Sequence, residues 1–146
     1  KFKLESIIWA ITKKNPFKKK PFFSLKKRIS LCKKLIKNSK KIKIRSYDQV
    51  VKKSETIYLI NFLMNKNKKT DFFFIMGSDN LINFHKWKNW RIIAKKCKIV
   101  IFPRRGFNKK SEKCKAFKEL GNRNLYIIRS KMYNISSSKI RKNYLK

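Results

Sequence analysis

Residues 72–91 read Phe72-Phe73-Phe74-Ile75-Met76-Gly77-Ser78-Asp79-Asn80-Leu81-Ile82-Asn83-Phe84-His85-Lys86-Trp87-Lys88-Asn89-Trp90-Arg91. The apolar run Phe72–Met76 is short and ends abruptly at Gly77, the pattern of a buried strand. A small-polar-acidic turn follows, and then a segment with helical character carrying Trp87 and Trp90. A strand that ends in Gly-Ser-Asp places backbone N–H groups and one carboxylate at the carboxyl end of a sheet. In open α/β sheets that end is where ligands bind.

Outward from this stretch, apolar runs alternate with amphipathic ones. Ser6–Thr12 and Lys98–Phe102 read as buried strands, Lys41–Ser46 as a half-exposed strand of alternating Ile and Lys/Arg, and Leu125–Ile128 as a further strand. Lys13–Phe23 holds two prolines and five lysines and reads as a loop. Ser24 is placed to cap a helix with Leu25, Ile29, Cys32, Leu35 and Ile36 on one face. Ser54 is placed to cap a second helix reaching about Asn65. One helical region is expected from about Asp79 to Lys95, and another over Ser111–Leu120 with Gly121 as its stop signal. Ser136 is placed to cap a last helix. Such β-α repetition implies an α/β fold, a Rossmann-like parallel sheet with helices on both faces. With no repeat and no low-complexity linker, residues 1–146 are expected to form a single domain.

Composition narrows the function classes. The chain has 42 Lys and Arg against 7 Asp and Glu, a formal charge of +35. Taken alone, that balance points to nucleic acid or another polyanion. The same bias, with 12 Phe and only 3 Gly and 3 Pro, also follows from an A+T-rich genome, and the basic residues are spread over nearly every segment. Either way, non-specific, salt-sensitive nucleic-acid binding is an expected partner behaviour. Cys32, Cys97 and Cys114 form no C-x-x-C pair, so they read as small hydrophobes in a reducing cytoplasm rather than as zinc ligands or disulfides. His85 is the sole histidine, and no metal site is assigned. No apolar run approaches the ~20 residues of a membrane span. There is no signal-peptide pattern at Lys1-Phe2-Lys3-Leu4-Glu5, and no initiating methionine, so the chain is expected to lack its beginning.

Five motifs carry chemistry. Thr12-Lys13-Lys14-Asn15-Pro16-Phe17-Lys18 follows a strand; Asn15 offers a donor and an acceptor, Pro16 stiffens the turn, and Lys18 suits a phosphate, although an ordinary surface turn reads the same way. In Gly77-Ser78-Asp79-Asn80, glycine permits close approach of a ligand to the backbone, while Asp79 suits either a ligand or a plain helix cap. Trp87 offers a flat face for stacking on a pyridinium ring, though an unplaced tryptophan is more often a core side chain; Trp90, one turn on, suits packing. Arg104, in Pro103-Arg104-Arg105-Gly106, can pair with a carboxylate or phosphate in bidentate fashion. Ile135-Ser136-Ser137-Ser138-Lys139-Ile140-Arg141 places hydroxyls and free N–H groups at a helix start, where an anion is favoured, although a simple serine cap reads equally well from the motif alone.

Met76–Trp90 resembles the MGADNLxxFHxWxxW signature of bacterial nicotinate-nucleotide adenylyltransferases of the nucleotidyltransferase superfamily. The Asn15-Pro16-Phe17-Lys18 turn is similar to the family's NP-hydrophobic-K turn, Arg104-Arg105-Gly106 to its R-x-G turn, and Ile135–Arg141 to its ISSTxIR motif. Ser54–Leu59 matches YTxxTL more faintly, at Thr56 but not at Glu55 or Leu59. The resemblance covers almost the whole chain and implies the nucleotidyltransferase fold with its first strand and helix missing. The family's GGSFDPxHxGH loop is absent and His85 does not replace it, so no catalytic residue is assigned.

By this resemblance, Thr12, Asn15, Lys18, Thr56, Asp79, Trp87 and Arg104 would hold nicotinate mononucleotide, with Trp87 on the nicotinate ring. Gly77, Ser78, Ser137, Ser138 and Arg141 would hold ATP. Where the family often has an aromatic beside that tryptophan, this chain has Lys88. The implied reaction, with Mg²⁺ accompanying ATP, transfers AMP to nicotinate mononucleotide, giving deamido-NAD and pyrophosphate in NAD biosynthesis. Two rivals remain open on the sequence: a small basic nucleic-acid-binding protein, and an inactive remnant of the enzyme.

Overall fold

The run that stops at Gly77 is a strand. In the computed structural model, which describes residues 2–13, 21–37, 39–121, 124–128 and 130, the chain divides into two compact units, Lys1–Lys66 and Asn67–Lys146. The expected helix from Ser136 lies outside the described residues.

In the first unit, strand β1 (Ile7–Ala10) pairs in parallel with strand β2 (Ile42–Arg45), Ile7 opposite Ile42 and Ala10 opposite Arg45. Helix α1 (Leu25–Leu35) makes the crossover between them. Ser24 caps it as its position predicts: its hydroxyl accepts from the Lys27 N–H at 3.2 Å. Lys33 and Lys34 occupy the last turn, where cations complement the helix dipole. The apolar positions of α1 do not form a fully buried face; Leu35 is 78% exposed. Helix α2 (Thr56–Lys66) buries Ile57 and Ile60. It begins two residues beyond Ser54, so Ser54 is not adjacent to its first turn as the sequence reading expected. Among the described residues β1 pairs with β2 alone, and Ile8 and Trp9 are partly exposed.

The second unit holds three parallel strands in the order β3 (Phe73–Gly77), β4 (Lys98–Phe102), β5 (Leu125–Ile127). Central β4 buries Ile99, Val100 and Ile101 in succession, as a strand covered on both faces must. Lys98 donates to Asp71 at 2.9 Å, tying the starts of β3 and β4 together.

The segment expected as one helix from Asp79 to Lys95 is three pieces: helix α3 (Ser78–Ile82), a 3₁₀ turn at Phe84–Lys86, and helix α4 (Trp90–Lys96). The break has a local cause. Trp87 is extended and Asn89 takes a left-handed φ of 53°, a conformation asparagine tolerates better than most residues. The gain is tertiary, because Phe84, Trp87 and Trp90 pack edge to face. The expected helix over Ser111–Leu120 is likewise split, into α5 (Asn108–Glu112) and α6 (Lys115–Leu120). Gly121, at φ 53°, ends α6, and its N–H returns to the Phe117 carbonyl. Phe84, Leu81, Ile93 and Ile99 are fully buried and centre the core of this unit.

Candidate functional site

Strands β3 and β4 run in register, so Gly77 lies opposite Phe102 at their carboxyl ends. From Gly77 the chain enters α3 with no intervening loop, which puts Asp79 in the first helical turn. From Phe102 it turns through Pro103 to Arg104. Across these ends Arg104 Nη1 meets Asp79 Oδ2 at 3.2 Å. Gly77 is what allows the pair to close. A Cβ at that position would collide with Asp79 Oδ1 and stand 2.9 Å from Arg104 Nε. The other oxygen, Asp79 Oδ1, is buried and has no hydrogen-bond partner. A buried acceptor without a donor is costly, and a ligand hydroxyl or N–H would relieve it.

Beneath the pair lies a small polar triangle. Ser78 is 1% exposed. Its hydroxyl donates to Asn108 Oδ1 at 3.0 Å and accepts from the Arg104 N–H at 2.9 Å. The same Arg104 N–H also reaches Asn108 Oδ1 at 2.9 Å. This network fixes the backbone from which the Arg104 side chain departs. Ser78, expected to hold ATP, thus has its hydroxyl engaged inside the protein. Asn108 was not singled out from sequence; its signal, an asparagine opening a helix just after the Arg-Arg-Gly turn, is too common to stand alone.

Trp87 is half-buried, in edge-to-face contact with Phe74 at 6.0 Å and Phe84 at 5.4 Å between ring centroids. Trp90 is 6% exposed and packs on Phe84. Arg91 covers the Trp90 ring at 4.7 Å and is itself held by both oxygens of Glu119. Trp90 therefore takes the packing role that its spacing suggested. His85 Nδ1 is buried without a hydrogen-bond partner.

In the first unit, Thr12 and Thr56 line one cleft of about 50 Å³ together with Tyr47, Asp48 and Ser54. Thr12 stands just beyond β1 and Thr56 opens α2. The remaining expected site residues, Asn15, Lys18, Ser137, Ser138 and Arg141, lie outside the described residues.

Among the described residues no three His, Cys, Asp or Glu side chains gather as a metal cage, and no helix is long and apolar enough to cross a membrane. The carboxylate in the second unit's cluster, Asp79, is paired with Arg104. That donor set does not suit a protein-held Mg²⁺, which takes oxygen ligands, commonly from substrate phosphates. Burial pushes the Cys97 thiol from 9.0 up to about 11.

Residues 1–143 match the family model described as cytidylyltransferase-like. A probable nicotinate-nucleotide adenylyltransferase of Pelagibacter ubique is 48% identical over 139 residues, which is 95% of this chain and 77% of that protein. One of Fusobacterium nucleatum is 33% identical over 116 residues, 78% of this chain; here the chain spans only 58% of the relative's length. In fold, the chain is similar to a Plasmodium falciparum nicotinic acid mononucleotide adenylyltransferase complexed with NaAD. The TM-score is 0.71 at 19% identity, over 95% of this chain and 69% of that one.

Proposed function

The chain belongs to the cytidylyltransferase-like family, and within it to the nicotinate-nucleotide adenylyltransferases; from that premise we propose that it binds nicotinate mononucleotide and MgATP for adenylyl transfer. The mononucleotide phosphate attacks the α-phosphorus of ATP in line. A new Pα–O bond forms to the mononucleotide, the bond from Pα to the bridging oxygen breaks, and pyrophosphate leaves with that electron pair. The products are deamido-NAD and pyrophosphate. No covalent enzyme intermediate is needed, because the protein's work is positioning and charge neutralisation. Mg²⁺ arrives on the ATP phosphates as part of the substrate.

The observation that carries this reading is the Asp79–Arg104 pair closed over Gly77 at the carboxyl ends of two parallel strands. A guanidinium has five donors in a fixed plane, suited to a carboxylate or phosphate of the mononucleotide. The unpartnered Asp79 Oδ1 suits a donor such as a ribose hydroxyl. Within the second unit Trp87 supplies a ring for the nicotinate. In the first unit Thr12 and Thr56 offer hydroxyls at their own cleft, and the resemblance adds Asn15 and Lys18 as mononucleotide-binding residues. Ser137, Ser138 and Arg141 take ATP phosphates. With its hydroxyl engaged, Ser78 contributes to ATP binding through its backbone, as does Gly77. The free thiols of Cys32, Cys97 and Cys114 fit the reducing cytoplasm in which we place the reaction.

The test is pyrophosphate release from MgATP plus nicotinate mononucleotide. It is run on this chain and on a form extended upstream by whatever reading frame precedes Lys1. Release that needs both substrates, from either form, supports the reading. Two folded forms that release none overturn it.

A further inference from the structure

The peptide group joining Thr12 to Lys13 is gripped from both sides. Its carbonyl, on Thr12, accepts from Arg28 Nη1 at 2.8 Å. Its N–H, on Lys13, donates to Asp48 Oδ2 at 2.9 Å. The described chain contains no cis peptide bond, so these two groups point in opposite directions within one plane. A guanidinium and a carboxylate thereby fix the rotation of a single peptide.

The two side chains come from separate elements. Arg28 stands one turn into α1, and Asp48 follows β2. Each is braced in turn. Arg28 also donates from Nη2 to the Lys13 carbonyl at 3.0 Å and from Nε to the Phe23 carbonyl at 3.2 Å. Asp48 Oδ2 also accepts the Ser46 hydroxyl at 2.9 Å.

Stability alone does not require this arrangement. Lys13 is exposed, and water satisfies an exposed peptide group as well as a side chain does. Ordering a long arginine on three backbone carbonyls gives up rotamer freedom, which offsets part of what its two half-buried hydrogen bonds and one exposed one return. What the clamp does deliver is a fixed direction for Thr12, which lines the cleft shared with Thr56. We infer that Arg28 and Asp48 are positioning residues for nicotinate mononucleotide, locking the Thr12–Lys13 peptide so that Thr12 faces its ligand in one orientation. This rests on the proposed adenylyltransferase reading. Neither residue is assigned a contact with substrate.

The experiment is calorimetric titration of nicotinate mononucleotide, and separately of MgATP, into the protein and its R28M, R28K and D48A variants. It is paired with amide hydrogen exchange. R28M keeps the stem and removes every donor; it is expected to weaken mononucleotide binding about tenfold while MgATP affinity stays within about twofold, the loss of roughly one charge-assisted hydrogen bond. R28K is expected to fall between, because one ammonium cannot span both the Thr12 and Lys13 carbonyls. D48A is expected to free the Lys13 amide to exchange, with β2 still protected, and to weaken the mononucleotide selectively. The positioning role is overturned if R28M and D48A free Lys13 exchange yet bind the mononucleotide as the parent does. Equal loss of both ligands together with β2 protection would show a purely structural role, and also overturns it. A parent chain that binds no mononucleotide instead removes the adenylyltransferase reading, and the positioning role with it.

Discussion

Gly77→Ala separates site from fold more cleanly than any other single change. Gly77 has φ −81° and ψ 156°, extended backbone that alanine adopts without strain. Replacing glycine at such a position stabilises by about 0.4–1 kcal/mol through the unfolded chain. Against this stands the new Cβ, which would collide with Asp79 Oδ1 and lie 2.9 Å from Arg104 Nε and 3.2 Å from Arg104 Cδ. These are side-chain atoms, and the Arg104 side chain is 53% exposed, so it can swing away. The structural loss is then an ion pair with one exposed and one mostly buried partner, worth about 1 kcal/mol. The two effects offset, and net stability should stay within about 1 kcal/mol of the parent. Mononucleotide affinity should not survive, because Arg104 and Asp79 can no longer hold their closed geometry. One or two charge-assisted hydrogen bonds lost to the ligand correspond to roughly 1.5–3 kcal/mol, or about 10- to 100-fold in Kd. Urea unfolding and calorimetric titration on the same preparation read both quantities. Unchanged affinity at unchanged stability would refute the placement of the mononucleotide at Asp79 and Arg104. A large loss of stability would show instead that Gly77 serves packing.

Three further outcomes are expected. Phe84→Ala, which removes a fully buried ring from between Trp87 and Trp90, should destabilise by about 3–5 kcal/mol in urea unfolding. The half-buried Trp87→Ala should cost less and should weaken nicotinate mononucleotide binding while sparing MgATP; equal loss of both ligands with unfolding would make Trp87 a core residue. Asn108→Ala leaves the Ser78 hydroxyl and the Arg104 N–H without their shared acceptor. It should cost roughly 1–2 kcal/mol and loosen Arg104, with mononucleotide affinity falling more than ATP affinity. The raised Cys97 thiol favours the protonated, folded form, so its contribution is whole below pH 9.0 and fades as pH rises towards about 11. Iodoacetamide labelling read by mass spectrometry near neutral pH should therefore modify Cys97 last, and labelling as fast as at Cys32 would contradict its burial.

The parts of the fold visible in the sequence are those governed by local rules. Ser24 announces its helix because a hydroxyl at that position meets a free N–H, and it does so. Lys98–Phe102 matches β4 residue for residue, since a continuous apolar run of that length suits a strand buried on both faces. What local rules miss is tertiary preference. Nothing in Asn83–Asn89 forbids a helix; the chain leaves it because three aromatic rings pack better when Trp87 is extended and Asn89 left-handed. Likewise the helical spacing from Leu25 to Ile36 predicts α1 but not how little of its apolar face the unit covers. At the site, Asp79 and Arg104 could be named from their positions after strands. Asn108 beside them, and Arg28 and Asp48 in the first unit, could not, because a side chain that holds a backbone group leaves no periodic trace.

A chain with 42 basic and 7 acidic residues inverts the usual search for a functional charge. A lysine or arginine here is uninformative, because any polyanion meets one wherever it lands. The scarce acids carry the information. Asp71 joins the starts of β3 and β4 through Lys98. Glu119, on α6, fixes Arg91 at the start of α4. Asp79 holds Arg104 across two strand ends, and Asp48 grips the N–H of Lys13. Each of these contacts links segments far apart in sequence, and each keeps at least one partner in solvent, which limits the net stability it adds. Their effect is geometric: they decide which cations have a fixed direction. Selective recognition of a small anion needs donors in a fixed plane, whereas loose attraction to a polyanion needs only charge. Arg104 is fixed by a carboxylate at its guanidinium and by Ser78 and Asn108 at its backbone, which separates it from the general positive field. That distinction is why the Asp79–Arg104 pair, rather than the charge of +35, directs the functional reading to a nucleotide.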